Sequence, residues 1–347
     1  MNADHHLPGE IPQNTAPGFL KRLIRRYPRL FGLCSAGLIL WAAWGTFYYS
    51  VRFGAFGEIP DMADVSHLRV PQAAEIYSAD SVLLGRYYLQ ERVPVSFPEI
   101  SPYLIQALIA TEDARFYQHS GIDRLSLMRV FFKSILLQDE SAGGGSTISQ
   151  QLAKNLYPRQ EYAFLGIVIN KLRETFIARR LEEVFTKEEI LAQYLNTVEF
   201  GENAFGIRVA ASRFFNRQPD SLQVEQAAVL AGMLKAITAY NPRRHPEAAL
   251  KRRNVVLGQM EKYGYLSARA ADSIKTLPLG IQMTYSDHHL GPATYFREHI
   301  RPLLNKWCKT HFKADGSPYN LYGDGLKIYT TLDSRMQGYA ESATAAH

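Results

Sequence analysis

A long uncharged run near the amino terminus restricts the fold of this chain more than any other feature. The run covers residues 31–51 and consists mainly of apolar and aromatic side chains. A helix needs about 20 such residues to cross the hydrocarbon core of a bilayer. The sequence therefore predicts a single N-terminal transmembrane helix over residues 31–51.

Basic residues directly precede this run and predict its orientation. They are Lys21, Arg22, Arg25, Arg26 and Arg29. Because basic flanks stay on the cytoplasmic side of a membrane, residues 1–30 are expected to form a cytoplasmic tail and the chain after residue 51 to lie outside. A cleaved signal peptide is the alternative, which the length of the run and the lack of a small-residue cleavage motif disfavour.

An acidic pair, Glu112 and Asp113, ends an otherwise apolar helical segment. Ser101 and Pro102 are typical of a helix start. At helical spacing, one face of the segment carries Ile105, Ile109, Glu112 and Phe116. Apolar surroundings are one way in which a protein makes a carboxylate a usable base near neutral pH. A capping acid or a salt-bridged core acid is the open alternative for Glu112.

A glycine stretch at residues 143–145 leads into small hydroxyl side chains, amides and a lysine. Consecutive glycines let the backbone approach a ligand closely. The side chains that follow offer hydrogen-bond donors and a charge suited to phosphate, and they are Ser146, Thr147, Gln150, Gln151 and Lys154. A plain connector that opens a helix is the alternative, and the spacing excludes a P-loop.

A third segment, residues 170–183, has a helical pattern with charges on its apolar stripe. Lys171 and Glu174 share that stripe with Ile167, Ala178, Leu181 and Phe185. An ordinary surface ion pair would contribute only a few tenths of a kcal/mol. The apolar neighbours favour a buried pair or the wall of a polar cleft instead.

The order of these three segments resembles the peptidoglycan glycosyltransferase family. Two later segments continue the resemblance: residues 187–196 with Gly201, Gly206 and residues 210–215, and residues 225–235 with residues 240–242. It extends over about residues 70–266, and residues 325–337 resemble the linker to the transpeptidase in class A penicillin-binding proteins. The chain departs from the usual family pattern at Asn170 and at Ile237-Thr238.

The resemblance implies a mainly α fold, a lysozyme-like glycosyltransferase domain with a small membrane-facing lobe. The expected organisation is a tail at residues 1–30, a transmembrane anchor at 31–51, a linker at 52–69, the glycosyltransferase domain at 70–275, and at 276–347 a linker toward an absent transpeptidase domain. A short β-hairpin is predicted from residues 75–78 and 82–88.

No Ser-x-x-Lys motif with a later Lys-Thr-Gly occurs in the chain, so we expect glycan polymerisation without cross-linking. A truncated bifunctional enzyme, favoured by the retained linker, and a monofunctional polymerase both fit this pattern. Residues 125–137 are apolar but too short to span a bilayer, and they fit either a core helix or a membrane-dipping segment.

The resemblance also implies residue roles. Glu112 would be the base that deprotonates the 4-hydroxyl of lipid II, positioned by Asp113, and Glu174 would orient basic residues or hold a divalent cation. Lys154, Lys171 and Arg159 would stabilise the leaving diphosphate. The full set of expected substrate-binding residues is Asp113, Phe116, His119, Gly145, Ser146, Thr147, Gln150, Gln151, Lys154, Asn155, Arg159, Lys171, Asn196 and Gly201.

The implied cofactor is Mg²⁺ or Mn²⁺ at Glu174, with no organic cofactor. Expected partners are lipid II, the nascent glycan strand, the lipid bilayer of the bacterial inner membrane and other cell-wall synthesis proteins. The formal charge of +6 suits a diphosphate or an anionic membrane surface, and no nucleic acid is implied. Cys34 and Cys308 lie in the anchor and the tail, so no disulfide between them is expected.

Two other functions use similar parts. A lysozyme-like peptidoglycan hydrolase also pairs two acids, with water as the acceptor, but it does not need a basic lining. A membrane-tethered, non-catalytic wall-binding scaffold would not need Glu112.

Overall fold

The computed structural model describes residues 26–66, 73–87, 94–131, 145–202, 204–284, 292–314 and 316–346. It divides into two compact units, Met1–Glu58 and Ile59–His347. Residues 1–25 of the expected tail, residues 143 and 144 of the glycine stretch and residues 132–137 of the apolar segment lie outside the described residues.

The first unit contains helix α1, Pro28–Arg52. The prediction of a helix over residues 31–51 is therefore confirmed in its secondary structure. The large apolar side chains along α1 are mostly exposed, among them Leu38, Ile39, Leu40 and Trp41. Of the helices that the structure describes, none combines the length and the hydropathy of a membrane span.

The second unit is mainly helical, as the sequence predicts. Its helices are α2 Met62–Ser66, α3 Pro102–Glu112, α4 Arg124–Phe131, α5 Ile148–Leu156, α6 Gly166–Val184, α7 Lys187–Thr197, α8 Ile207–Phe215, α9 Val224–Met233, α10 Pro246–Lys262, α11 Ala268–Lys275, α12 Thr294–Thr310 and α13 Ser334–Ala346.

One large apolar core joins the helices from α3 to α10. Fully buried side chains come from α3 and from each helix from α5 to α10, for example Leu104, Leu152, Leu181, Ile190, Phe214, Leu230 and Leu257. Burial of such a side chain contributes about 1.5–3 kcal/mol. The core holds the backbones of the segments that resemble the family motifs. Polar side chains at the edge of the core are therefore held in defined positions.

Local capping explains where several helices begin. Thr186 and Glu189 form a capping box at the start of α7, and Thr147 and Gln150 form another at the start of α5. Helix α3 begins at Pro102 as predicted, but the Ser101 hydroxyl donates to the Leu222 carbonyl at 2.9 Å instead of capping the helix.

The end of α3 differs from the sequence prediction. The helix stops at Glu112, and Asp113 has φ −155°, so Phe116 lies in a separate helical turn rather than on the same helix face. The reason is the Asp113 carboxylate, which bonds outside the helix with the backbone N–H of Ile148 and with the His119 ring.

A small sheet completes the second unit. Strands β1, Ala74–Tyr77, and β2, Leu83–Tyr87, form the predicted antiparallel hairpin. Strand β3, Lys327–Tyr329, pairs in parallel with β1, so the order is β2-β1-β3. The hairpin shares a second apolar cluster with α12 and Leu321. Residues from both ends of this unit therefore meet in one sheet.

Candidate active site

Glu112 is the last residue of α3, and side chains from two other helices reach it directly, while a third acts through one of them. Gln151 of α5 donates from Nε2 to Oε2 of Glu112 at 3.0 Å. Tyr194 of α7 donates its hydroxyl hydrogen to Oε1 of the same glutamine at 2.9 Å. Nη2 of Arg252, on α10, lies 3.9 Å from Oε1 of Glu112.

The immediate surroundings of this carboxylate are therefore polar. The apolar residues expected beside it, Ile105 and Ile109, are buried in the core. The Glu112 side chain keeps 16% of its surface exposed, which leaves it within reach of a ligand. Nη2 of Arg252 forms an ion pair with this carboxylate at the outer limit of such contacts, so the salt-bridged acid stays an alternative to the base.

Asp113 connects the end of α3 to the start of α5. Its side chain is 3% exposed, and Oδ2 accepts a hydrogen bond from the backbone N–H of Ile148 at 3.1 Å. The same oxygen lies 3.0 Å from Nε2 of His119. Because Gln151 is on α5, this connection sets the distance between Glu112 and Gln151. The arrangement fits the positioning role expected of Asp113.

Phe116 and His119 pack against each other beside Asp113. Phe116 is fully buried, and its ring meets the His119 ring edge-on at 6.0 Å. Nζ of Lys187 lies 4.3 Å above the Phe116 ring and donates to the His119 carbonyl at 2.6 Å. Phe116 therefore has no exposed surface that a substrate could contact. Its ring packs inside the protein, and the expected substrate contact of Phe116 is not supported.

The second acid, Glu174 of α6, holds two cations. Its side chain is only 6% exposed; Oε1 accepts from Nε of Arg159 at 2.8 Å and Oε2 from Nζ of Lys171 at 3.2 Å. Lys171 also donates to the Ser146 hydroxyl at 2.6 Å. The cations themselves are 47% and 33% exposed. A buried acid thus orients two partly exposed positive charges, which differs from an ordinary surface ion pair.

The donor set at Glu174 does not fit a metal centre as arranged. Both carboxylate oxygens already accept hydrogen bonds from cations, and a divalent ion would have to displace one of them. Among the described residues, no group of three or more His, Cys, Asp or Glu side chains is close enough together to hold a metal.

The segment around the start of α5 divides into exposed and internal side chains. Lys154 and Asn155 are exposed, Gly145 and Ser146 half-buried. Thr147 and Gln150 are buried: Thr147 donates to the Gly121 carbonyl at 2.7 Å, and Gln150 donates to the Thr175 hydroxyl at 2.9 Å. Their polar atoms fix α5 in place, so the expected substrate contacts of these two residues are not supported.

Gln151, Asn196 and Gly201 also differ from the expected binding role. The NH₂ group of Gln151 donates to Glu112, and its amide oxygen accepts from Tyr194. Asn196 is buried, and its amide bonds with both the N–H and the C=O of Val95, at 2.9 and 2.8 Å. Gly201 lies at a turn that the Glu199–Phe205 bridge closes.

Sequence reasoning missed Tyr194 and Arg252. Tyr194 is buried, and a buried phenol needs a hydrogen-bond partner. Its apolar sequence neighbours Leu191 and Leu195 are the signal that indicates such burial. Burial and the charge of Glu112 raise the pKa of Tyr194 far above its ordinary value, so it remains a donor. Arg252 lies in a basic run, residues 251–253, which is typical of a solvated helix face. In fact Arg253 is fully buried and Arg252 reaches Glu112.

Comparison with known proteins places these motifs in a family. The transglycosylase family model matches residues 80–261, just over half of the chain. The chain belongs to the transglycosylase family.

Individual transglycosylase relatives match over a longer region. Penicillin-binding protein 1A of Escherichia coli is 35% identical over 292 residues, which are 82% of this chain and 32% of the relative. Penicillin-binding protein 1A/1B of Bacillus subtilis is 36% identical over 295 residues, 83% of this chain and 31% of the relative. The chain thus spans about a third of the length of these curated relatives.

A crystal structure of penicillin-binding protein 1A from Haemophilus influenzae also matches. It is 24% identical in sequence with a TM-score of 0.43, and the match covers 80% of this chain and 29% of that one.

Proposed function

We propose that this chain is a peptidoglycan glycosyltransferase that polymerises glycan strands from lipid II. It transfers the growing chain from undecaprenyl diphosphate to the 4-hydroxyl of lipid II with inversion at the anomeric carbon. Family membership supports the reaction class. The observation that carries the proposal is that one carboxylate, Glu112, is partly exposed while a second, Glu174, is buried and orients two partly exposed cations.

Glu112 is the base of the proposed transfer. Its carboxylate takes the proton of the acceptor 4-hydroxyl, and the resulting oxygen attacks the anomeric carbon of the donor sugar. The bond from that carbon to the diphosphate oxygen breaks, and the diphosphate leaves with the electron pair. The partial exposure of the Glu112 side chain supports this role, because the acceptor must come within hydrogen-bond distance.

The basic residues stabilise the leaving diphosphate. Lys171 and Arg159 are held by Glu174 with their charges partly exposed, and Lys154 is exposed on α5. Preoriented cations lower the energy of a transition state in which negative charge develops on phosphate oxygens. A hydrolase of neutral sugar bonds has no such charge to stabilise. No step of this mechanism passes through a metal ion.

The proposed location is the bacterial cytoplasmic membrane, with the amino terminus inside and the catalytic region outside. The support is the uncharged run over residues 31–51, its basic flank and the exposed apolar side chains of α1. There the enzyme meets lipid II and the nascent strand at the bilayer, beside other cell-wall synthesis proteins.

The test is incubation of the detergent-solubilised chain with purified lipid II, with and without the family inhibitor moenomycin, followed by gel analysis of the glycan. Moenomycin-sensitive polymer is the expected result. Cleavage of preformed glycan without polymerisation would assign the chain to the hydrolases. Binding to glycan with neither activity would assign it to the scaffolds.

A further inference from the structure

We propose that Tyr194, acting through Gln151, determines which oxygen of Glu112 receives the proton. Tyr194 is then a positioning residue for the glycosyl transfer, and this inference rests on the function proposed above. It reassigns Gln151 from a substrate ligand to the middle member of a three-residue relay.

The relay begins at the Tyr194 hydroxyl, which acts only as a hydrogen-bond donor to Gln151. The Tyr194 side chain is buried, and its hydroxyl donates to Oε1 of Gln151 at 2.9 Å. Burial and the negative charge of Glu112 raise the pKa of Tyr194, so the phenol is protonated near neutral pH. A protonated phenol with an amide oxygen in reach acts as the donor.

This bond fixes the orientation of the Gln151 amide. Because Oε1 faces Tyr194, the NH₂ group must point the other way, toward Glu112, where Nε2 donates to Oε2 at 3.0 Å. Without the phenol hydroxyl, the amide could rotate and turn its oxygen toward the carboxylate, which would remove the bond. Tyr194 therefore selects one of the two amide orientations.

The relay makes the two carboxylate oxygens of Glu112 unequal. Oε2 is occupied by the Gln151 amide. Oε1 has no hydrogen-bond donor among the described residues, and Nη2 of Arg252 is 3.9 Å away, beyond hydrogen-bond distance. Oε1 is thus the oxygen left to accept the proton of the sugar hydroxyl.

The backbone of each member is held by the core. Leu108, Leu152 and Leu195 are fully buried on α3, α5 and α7, each close in sequence to one member of the relay. Arg252 is also restrained, since its Nε donates to the Gly232 carbonyl at 3.3 Å. A base supported in this way is held to the small tolerance that proton transfer requires.

A double-mutant cycle in the full chain tests the relay. We expect Tyr194→Phe to lower kcat for lipid II polymerisation about 10-fold while KM changes less than about 2-fold, because the base is misoriented rather than the substrate lost. In a Gln151→Leu background, Tyr194→Phe should have no further effect on kcat. The control is Tyr87→Phe, which removes another buried hydroxyl, bonded to the Arg297 carbonyl in the second apolar cluster.

Two results would overturn the relay. One is an unchanged kcat in Tyr194→Phe. The other is the same fold loss from Tyr194→Phe in the wild-type and Gln151→Leu backgrounds, since a merely structural tyrosine would act independently of Gln151. Thermal unfolding of each variant, compared with Tyr87→Phe, accounts for any loss of folded protein.

An NMR measurement that does not depend on catalytic turnover separates this inference from the proposed function. In the ¹⁵N-glutamine-labelled chain, the side-chain amide signals of Gln151, assigned with Gln151→Leu, should shift in Tyr194→Phe and in Glu112→Gln but not in Tyr87→Phe. If the wild-type chain forms no glycan and these shifts occur, the proposed function fails and the relay stands. If Tyr194→Phe leaves the amide signals unchanged, the relay is wrong.

Discussion

Thr147 donates its hydroxyl hydrogen to the carbonyl oxygen of Gly121 at 2.7 Å. The bond joins the loop that follows the Glu112 segment to the first turn of α5, which carries Gln151 and Lys154. Gly121 makes this approach possible because it has φ +84° and lies against the backbone of Ala178 on α6.

Gly121→Ala should destabilise the protein. A Cβ at this position would lie 3.0 Å from the carbonyl carbon and oxygen of Ala178, and the residue would keep a positive φ. We expect a loss of about 1–3 kcal/mol in the free energy of unfolding, measured by chemical denaturation. Gly264→Ala, with φ +79° but no atom within 4 Å, is the matched control and should lose less. An equal loss in both variants would show that the Ala178 contact has no part in the effect.

Thr147 is expected to act on stability rather than on substrate affinity. Thr147→Ala removes the cap of α5 and the bond to Gly121, which should cost about 1–2 kcal/mol. Thr147→Ser keeps the hydroxyl and should recover most of it. Denaturation and KM for lipid II are measured together: an increase in KM in Thr147→Ala without any loss of stability would restore the substrate-binding role.

Lys154→Ala should lower kcat about 10- to 100-fold with the stability of the protein unchanged, because the exposed lysine supports no packing but stabilises the diphosphate. Lys251→Ala, another exposed helical lysine, is the control. Steady-state kinetics over a range of lipid II concentrations separates the two roles. Full recovery of the rate at high lipid II would show that Lys154 only binds substrate.

The pH dependence of the free energy of unfolding should show the contribution of the Asp123 carboxylate. Burial by itself raises the pKa of this carboxyl, but hydrogen bonds from Arg115 and Ser126 outweigh it and lower the pKa to about 2. The ionised form is therefore favoured in the folded state, and its stabilisation is present above the unfolded pKa and lost as pH falls through about 2. Asp123→Asn should flatten the acid limb of the stability curve between about pH 4 and 2. An unchanged acid limb in this variant would contradict the assignment.

Local signals made part of the structure predictable from sequence. The capping pair Thr186 and Glu189 is three residues apart, and the structure contains that box. Lys171 and Glu174 are also three residues apart on one helix, and their ion pair is present. In both cases the interacting atoms belong to one helical turn, so spacing alone determines their contact.

Contacts between distant elements were not predictable in the same way. The sequence pattern places Phe116 on the same helix as Glu112. The hydrogen bond from the Ile148 N–H to Asp113, which accompanies the end of that helix, joins residues 35 positions apart and leaves no local signal. Tyr194 and Arg252 reach the Glu112 region from α7 and α10, which no local spacing indicates. Likewise, the parallel pairing of β3 with β1 joins segments from opposite ends of the second unit, and no local pattern indicates it.

Glu112→Gln tests the proposed base most directly. Glutamine preserves the shape of the side chain but does not accept a proton from a sugar hydroxyl, so polymerisation of lipid II should fall by about 1,000-fold or more with the unfolding temperature unchanged. Glu261→Gln, which removes a carboxylate of α10 that pairs with Lys275 rather than with site residues, should polymerise at the wild-type rate. Substantial moenomycin-sensitive polymer from Glu112→Gln would contradict the assignment of Glu112 as the base.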